Sequence, residues 1–392
     1  MFGMTSTLFL FLSISLASCG TMSRMELDSD NADALRYAQT GDLETEVESL
    51  AKPLVDNKLT PGIVVGVMTS DGKFHFYGYG VTDKQTNTVP NADTLFAIGS
   101  VSKGFLGATT ALLVSDGVFS WNDTLETLLP AGTELSADAK KITLLQLATH
   151  TSGLPRQPMT LELAVSFFKF LFTGENFYHH VDSEYVLNYL AAFKAPHDKS
   201  PLYSNIGYGL LGYIVELRTG QSLDTLLAQK LTLPYGMNRT GYEEKKLAGY
   251  AYRARAYAGD QPKFIRRNES VPDWEFTDLM RGSAGLHSTA RDLLRFAALH
   301  LRNDDTKFSR VLADTMNVRF ARPIEGTAIG WLVDDIGKER ITYQFGLVAG
   351  YTSYLGVDRS RNTAVVVLQN SFNWTERVGH RLLLRLARSN EN

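Results

Sequence analysis

Phe96-Ala97-Ile98-Gly99-Ser100-Val101-Ser102-Lys103 is the stretch on which the reading of this chain turns. A short strand-like segment, Thr94 to Ile98, runs into an S-x-x-K, and a long helical pattern follows through Phe105, Leu106, Leu112 and Leu113. A spacing of three residues on a helix stacks two side chains on one face. A serine hydroxyl is a weak nucleophile until a neighbour takes its proton. A lysine can do so once desolvation or nearby positive charge lowers its pKa from about 10.4. The first turn of a helix also offers unpaired N–H groups and a dipole that favour negative charge. The competing reading of Ser100 is a plain N-cap.

The motif alone decides little, because the chain holds four S-x-x-K matches. Ser49 and Lys52 fall in the amphipathic pattern Leu43, Val47, Leu50, Ala51, Leu54, which makes Ser49 a surface position. Ser70 precedes Asp71-Gly72, a hairpin turn that leaves no helix for the pair to share. Ser166 and Lys169 lie in an aromatic run with no polar partner in view. Ser100 and Lys103 remain. Tyr203-Ser204-Asn205 adds to them as the single Y-x-N among seventeen tyrosines. Positive charge near a phenol favours phenolate, which can take and return a serine proton. Asn205 offers an amide to hold Lys103 or a substrate carbonyl.

With 392 residues the chain can bury a large core, in one domain or two intertwined lobes. A net charge of -3 and a pI near 6.3 give no electrostatic case for nucleic acid. There is no G-x-S-x-G elbow of the α/β-hydrolase kind. Residues 43–56 read as an amphipathic helix kinked or ended at Pro53, and Ile63–Met68 with Phe74–Val81 as a hairpin. The chain from 140 to 315 reads as mainly helical. Strands return at Ile329–Val333, Ile341–Phe345, Tyr351–Val357 and Thr363–Leu368, before a helix over Trp374–Ala387. The fold class expected is α+β: an antiparallel sheet from N- and C-terminal segments flanked by helices, with an inserted mainly helical lobe. Residues 43–135 and 316–392 form the α/β lobe, and 136–315 the helical one.

The N-terminus reads as an address. Leu8 to Leu16 is an apolar stretch too short to span a bilayer, and it ends in Leu16-Ala17-Ser18-Cys19-Gly20. That ending resembles a bacterial lipobox, which makes residues 1–19 a signal peptide and the sole cysteine, Cys19, the lipidation site. No Lys or Arg precedes Arg24, so the usual positive n-region is missing; a misassigned start codon explains that. Residues 20–42 then form a tether, and the location expected is the bacterial envelope, on the periplasm-facing side and with the outer membrane favoured.

Four blocks in order resemble the class C β-lactamase superfamily, which includes D-Ala-D-Ala carboxypeptidases, D-aminopeptidases and family VIII carboxylesterases. They are Phe96–Lys103, Ile142–Pro155, Tyr203–Gly212 and Gly285–Leu293, within a resemblance running from about 60 to 370. The resemblance implies Ser100 as the acylated nucleophile, Lys103 and Tyr203 as its proton-transfer partners and Asn205 as a polar anchor. It also implies a β-lactamase/transpeptidase-like fold. The third motif departs from the family. Gln344-Phe345-Gly346-Leu347 stands where K-T-G or H-x-G is usual. Gly346 matches, and Leu347 N–H falls where the family has its second oxyanion donor, beside Ser100 N–H. Gln344 is neutral where the family holds a substrate carboxylate with a cation or histidine.

These readings give a hydrolase forming an acyl-enzyme on a small-molecule ester, amide or cell-wall peptide. Carboxylesterase action is slightly favoured over D-Ala peptide or β-lactam hydrolysis. The alternative is a non-catalytic envelope scaffold. No cofactor and no metal are expected. Tyr178-His179-His180-Val181-Asp182 reads as a solvated loop, since adjacent histidines on a strand point apart and no H-E-x-x-H is present. His150 reads as a structural turn or core residue. The run Leu161–Phe177, with five phenylalanines, reads as packing for the helical lobe or as an apolar wall for an acyl chain or a membrane.

Overall fold

The computed structural model describes residues 42–158, 160–198, 200–321, 325–373 and 377–389. The expected signal peptide, Cys19 and nearly all of the expected tether lie outside the described residues. Among the described residues, no helix is long and apolar enough to cross a membrane.

An eight-stranded sheet forms the base of the molecule, in the order β2-β1-β10-β9-β8-β7-β6-β5. Its strands are β1 (Gly62–Met68), β2 (Phe74–Gly80), β5 (Phe320–Ala321), β6 (Glu325–Thr327), β7 (Leu332–Ile336), β8 (Glu339–Val348), β9 (Tyr351–Asp358) and β10 (Thr363–Gln369). Every pairing is antiparallel. Two strands come from the N-terminal segment and the rest from the C-terminal one, with β1 locked to β10 from Ile63↔Gln369 to Met68↔Ala364. This is the α+β architecture expected from the pattern of elements.

The alternation of side chains along β1 assigns the layers. Ile63, Val65 and Val67 pack on one face with Val47 and Ala51 of helix α1 (Leu43–Asp56) and with Leu382 and Leu383 near the C-terminus. Val64 and Met68 pack on the other with Phe105, Leu294 and Phe296. Both faces are covered, which is why Gly62–Met68 is buried throughout and reads as an unbroken apolar run. Phe105 belongs to helix α2 (Ser102–Ser115) and stacks on Phe296 with ring centroids 3.7 Å apart. Truncating either ring to alanine costs about 3–5 kcal/mol.

The inserted lobe has its own core. Ile206, Leu210, Leu211 and Ile214 of helix α5 (Asn205–Thr219) pack with Leu144, Leu147, Val186 and Leu190. It also contains helices α3 (Leu161–Thr173) and α4 (Ser183–Ala191). Between Leu233 and Met280, however, the chain is irregular apart from two short 3-10 turns, so the region is less helical than its pattern suggests.

Helix α1 keeps its expected span, Leu43–Asp56, with Pro53 inside it, and Pro53 O accepts the Asn57 N–H. Two other boundaries differ from expectation. The strand expected from Ile329 begins at Leu332, because Gly330 takes φ +78° where the chain passes against Lys103 O. The last helix is Val378–Ser389, later than expected; Trp374 lies outside the described residues.

Candidate active site

Ser100 sits in a 3-10 turn, Gly99–Val101, that feeds helix α2. The approach is the short strand β3 (Phe96–Ala97), much shorter than the segment from Thr94, paired to β4 (His287–Ser288). Ile98 N–H donates to Leu286 O, and Leu286 N–H donates to Ser102 Oγ. The Gly285–Leu293 block thus braces the Ser100 turn. Ser100 is not an N-cap: the preceding caps are Ile98 and Val101, and its hydroxyl faces an amine instead.

That amine is Lys103. It is fully buried, and its Nζ lies 3.0 Å from Ser100 Oγ, 3.0 Å from Asn205 Oδ1 and 2.8 Å from Ser283 O. Burial above all, and then the charge of Arg156, pushes its pKa well below the ordinary lysine value. An ammonium without a paired carboxylate in a dry site is costly, so the neutral amine gains. The other three S-x-x-K pairs have no such setting. Ser49 is exposed and bonds Glu46 O, Ser70 is exposed beside the β1–β2 turn, and Lys169 pairs with Glu175 on the surface.

Tyr203 and Asn205 arrive on the loop entering α5, whose N-cap is Ser204 Oγ accepting from Gly207 N–H. The Tyr203 ring lies 5.0 Å from Lys103 Nζ, centroid to atom. Its underside is held by His150, stacked with ring centroids 4.4 Å apart. His150 is buried with φ +58°; its Nδ1 accepts from Ser204 N–H at 3.1 Å and its carbonyl from Leu202 N–H at 2.8 Å. An Nδ1 that accepts a backbone N–H carries no proton, and burial pushes this imidazole well below the usual histidine range. His150 positions the Tyr203 loop.

Strand β8 closes the fourth side. A Cβ on Gly346 would collide with Ile98 O and Ser353 Oγ and lie 2.9 Å from Ser100 N; one on Gly99 would lie 3.0 Å from Leu347 N. Glycine at both positions lets the Ser100 and Leu347 amides sit side by side. Gln344 is buried, its Nε2 donates to Gly330 O at 2.7 Å, and it is absent from the cleft wall, where Phe345 stands in its place. Alternation along β8 puts Gln344 on the face of Gly346, toward the Ser100 turn, where Gly330 O holds its amide and Phe345 is the residue of the pair that reaches the cleft.

A cleft of about 440 Å³ opens over these groups. Phe167, Phe170 and Leu171 of α3 form one wall with Phe177, Trp274 and Phe276. The run of phenylalanines therefore serves the cleft, but only on its inner face: Phe168 and Phe172 point outward and are half exposed. Two residues escaped the reading of the sequence. Tyr178 is buried on the cleft wall, donates to Gln157 Oε1 and accepts from Asn205 Nδ2, both at 3.0 Å, so its segment is no solvated loop. Arg156 also lines the cleft, its guanidinium carbon 4.8 Å from the Tyr203 ring centroid. A turn sequence with one arginine carries no signal of either contact. Among the described residues, no cluster of His, Cys, Asp and Glu has the arrangement of a metal site.

The sheet, the lobe and the placement of the serine define the fold of the class C β-lactamases and D-alanine carboxypeptidases. A crystal structure titled as a beta-lactamase/D-alanine carboxypeptidase from Pseudomonas syringae superposes with a TM-score of 0.72 over 88% of this chain and 98% of that one, at 21% identity. The chain belongs to the beta-lactamase family, whose model matches residues 47–389. Relatives include a beta-lactamase of Psychrobacter immobilis, 31% identical over 74% of this chain and 64% of its own length. Another, from Lysobacter lactamgenus, is 28% identical over 74% of this chain and 65% of its own length. The match thus spans just under two thirds of each relative.

Proposed function

We propose that the protein is a serine hydrolase that passes through an acyl-enzyme on Ser100. The observation that carries this reading is the buried Lys103 amine, depressed in pKa and 3.0 Å from Ser100 Oγ. Ser100 Oγ attacks an ester or amide carbonyl while Lys103 and Tyr203 relay its proton to the leaving group. The Ser100 and Leu347 N–H groups stabilise the tetrahedral oxyanion. Water, deprotonated by Tyr203, then attacks the acyl carbonyl and Ser100 regains its proton. Asn205 holds the amine through Oδ1 while its Nδ2 is held by Tyr178.

The apolar wall supports esters with bulky acyl or alkyl groups, and the neutral Gln344, tied to Gly330 O, supports a carboxylesterase over a β-lactamase or D-Ala peptidase. The lipobox at Cys19 supports an envelope lipoprotein tethered through residues 20–42, facing the periplasm. A rate panel tests the chemistry: nitrophenyl esters of several lengths, a chromogenic cephalosporin and a D-Ala-D-Ala peptide, each with Ser100→Ala as control. Loss of every rate in the control is expected. Wild-type turnover in Ser100→Ala, or failure of a fluorophosphonate to label the wild type, overturns the reading.

A further inference from the structure

We propose that Arg156 anchors a carboxylate on the substrate, so that the cleft selects esters or amides combining a carboxylate with a bulky apolar group. The inference rests on the acyl-enzyme reading and adds the substrate class to it. Arg156 is a cleft residue, yet among the described residues no carboxylate pairs with it, and its Nε is buried without a hydrogen-bond partner. None of the residues lining the cleft is Asp or Glu, whereas Arg156 and Lys263 supply positive charge. An unpaired guanidinium against an apolar wall is held at a cost that an anion can offset.

Its placement is rigid. The Arg156 carbonyl accepts from Asn205 N–H at 3.0 Å and from Ile206 N–H at 3.3 Å, which pins its backbone to the start of α5. The guanidinium carbon lies 4.8 Å from the Tyr203 ring centroid, and the planar fork of guanidinium donors suits a planar oxyanion. Beside it the same cleft offers Phe167, Phe170, Phe177 and Trp274. The two kinds of surface call for an amphiphile. The charge stands on the loop before α3, whereas Gln344 of β8 is tied to Gly330 O. A substrate carboxylate would thus be received by a residue outside β8.

Two boronic acids that cap a nucleophilic serine test this: phenylboronic acid and 3-carboxyphenylboronic acid, each competing with 4-nitrophenyl butyrate. The carboxylated inhibitor is expected to bind the wild type about ten- to a hundredfold tighter. Arg156→Gln should erase that preference, and Arg156→Lys should keep only part of it, having charge without the fork. The ratio of the two inhibition constants is the readout, so a general loss of activity does not mimic the effect. Equal ratios in wild type and Arg156→Gln overturn the inference while leaving the hydrolase reading intact. Hydrolysis is not needed for the second arm. Titration of 4-nitrophenyl hydrogen glutarate and 4-nitrophenyl butyrate onto Ser100→Ala should show the same charge preference, removed by adding Arg156→Gln. No preference there counts against Arg156 even if no ester is turned over.

Discussion

Lys103 Nζ and Asn205 Oδ1 meet at 3.0 Å across 102 residues of sequence, and this neutral acceptor is what the buried amine has in place of a carboxylate. The choice matters for protonation. An amide oxygen accepts one hydrogen bond from either form of the amine, whereas a carboxylate would stabilise the ammonium. Asn205→Asp should therefore raise the Lys103 pKa and shift the acid limb of the kcat/KM profile upward by about one to two pH units. A pH series on one nitrophenyl ester, wild type against variant, reads the shift. An unmoved limb would mean that Lys103 is not the group that must be neutral.

The same burial predicts how stability depends on pH. The unfolded chain holds the Lys103 proton up to about pH 10.4. The folded chain gives it up lower, because burial and Arg156 depress the pKa. Between the two values the unfolded state binds more protons, so stability rises with pH through that window. Below the folded value both states are protonated and the slope disappears. Lys103→Met removes this contribution. Its stability, followed by urea unfolding from pH 6 to 9, should climb less steeply with pH than that of the wild type, and identical slopes would contradict a depressed lysine.

What the sequence made legible follows from range. The β1–β2 hairpin and the sheet strands β9 and β10 announce themselves by local alternation and turn residues, and they fall close to their expected limits. Ser100, Lys103 and Asn205 were readable because a helical spacing and a rare tripeptide single them out. Strand β3 falls inside the strand-like segment Thr94–Ile98, but its two-residue partner β4 carries no local mark. Motif position places Gln344 on β8, but its tie to Gly330 O, 14 residues back, has no local signal. Tyr178 and Arg156 act through partners 27 and 47 residues away, Asn205 and Tyr203, and irregular loops carry no periodicity that would forecast such contacts.

Gly346→Ala tests whether the close approach of β8 to the nucleophile turn is needed. The added methyl would meet Ile98 O, Ser353 Oγ and Ser100 N, and Ile98 is tied both to Leu286 O through its N–H and to Ser353 Oγ through its carbonyl at 2.6 Å. The strand must move outward, carrying Leu347 N away from Ser100 N. Loss of one oxyanion donor costs about 10²- to 10³-fold in kcat. The expected result is a fall of that order in kcat with a smaller change in KM, on protein whose circular dichroism matches the wild type. Retention of kcat would remove Leu347 from the oxyanion site.

Phe167 and Phe168 are neighbours in α3 that face opposite ways, one lining the cleft and the other 56% exposed. They form an internal control for the apolar wall. Each methylene of an acyl chain that loses contact with the wall forfeits up to about 0.8 kcal/mol. Phe167→Ala should thus lower kcat/KM for octanoyl esters by about tenfold relative to acetyl esters. Phe168→Ala should leave that ratio unchanged for soluble substrates, because its ring packs outside, against Phe172 at 5.2 Å between centroids. The ratio of octanoyl to acetyl turnover, taken for both variants under the same conditions, separates a chain-binding wall from general loosening of α3. A matching drop in both variants would show that the helix itself, not its inner face, had been disturbed.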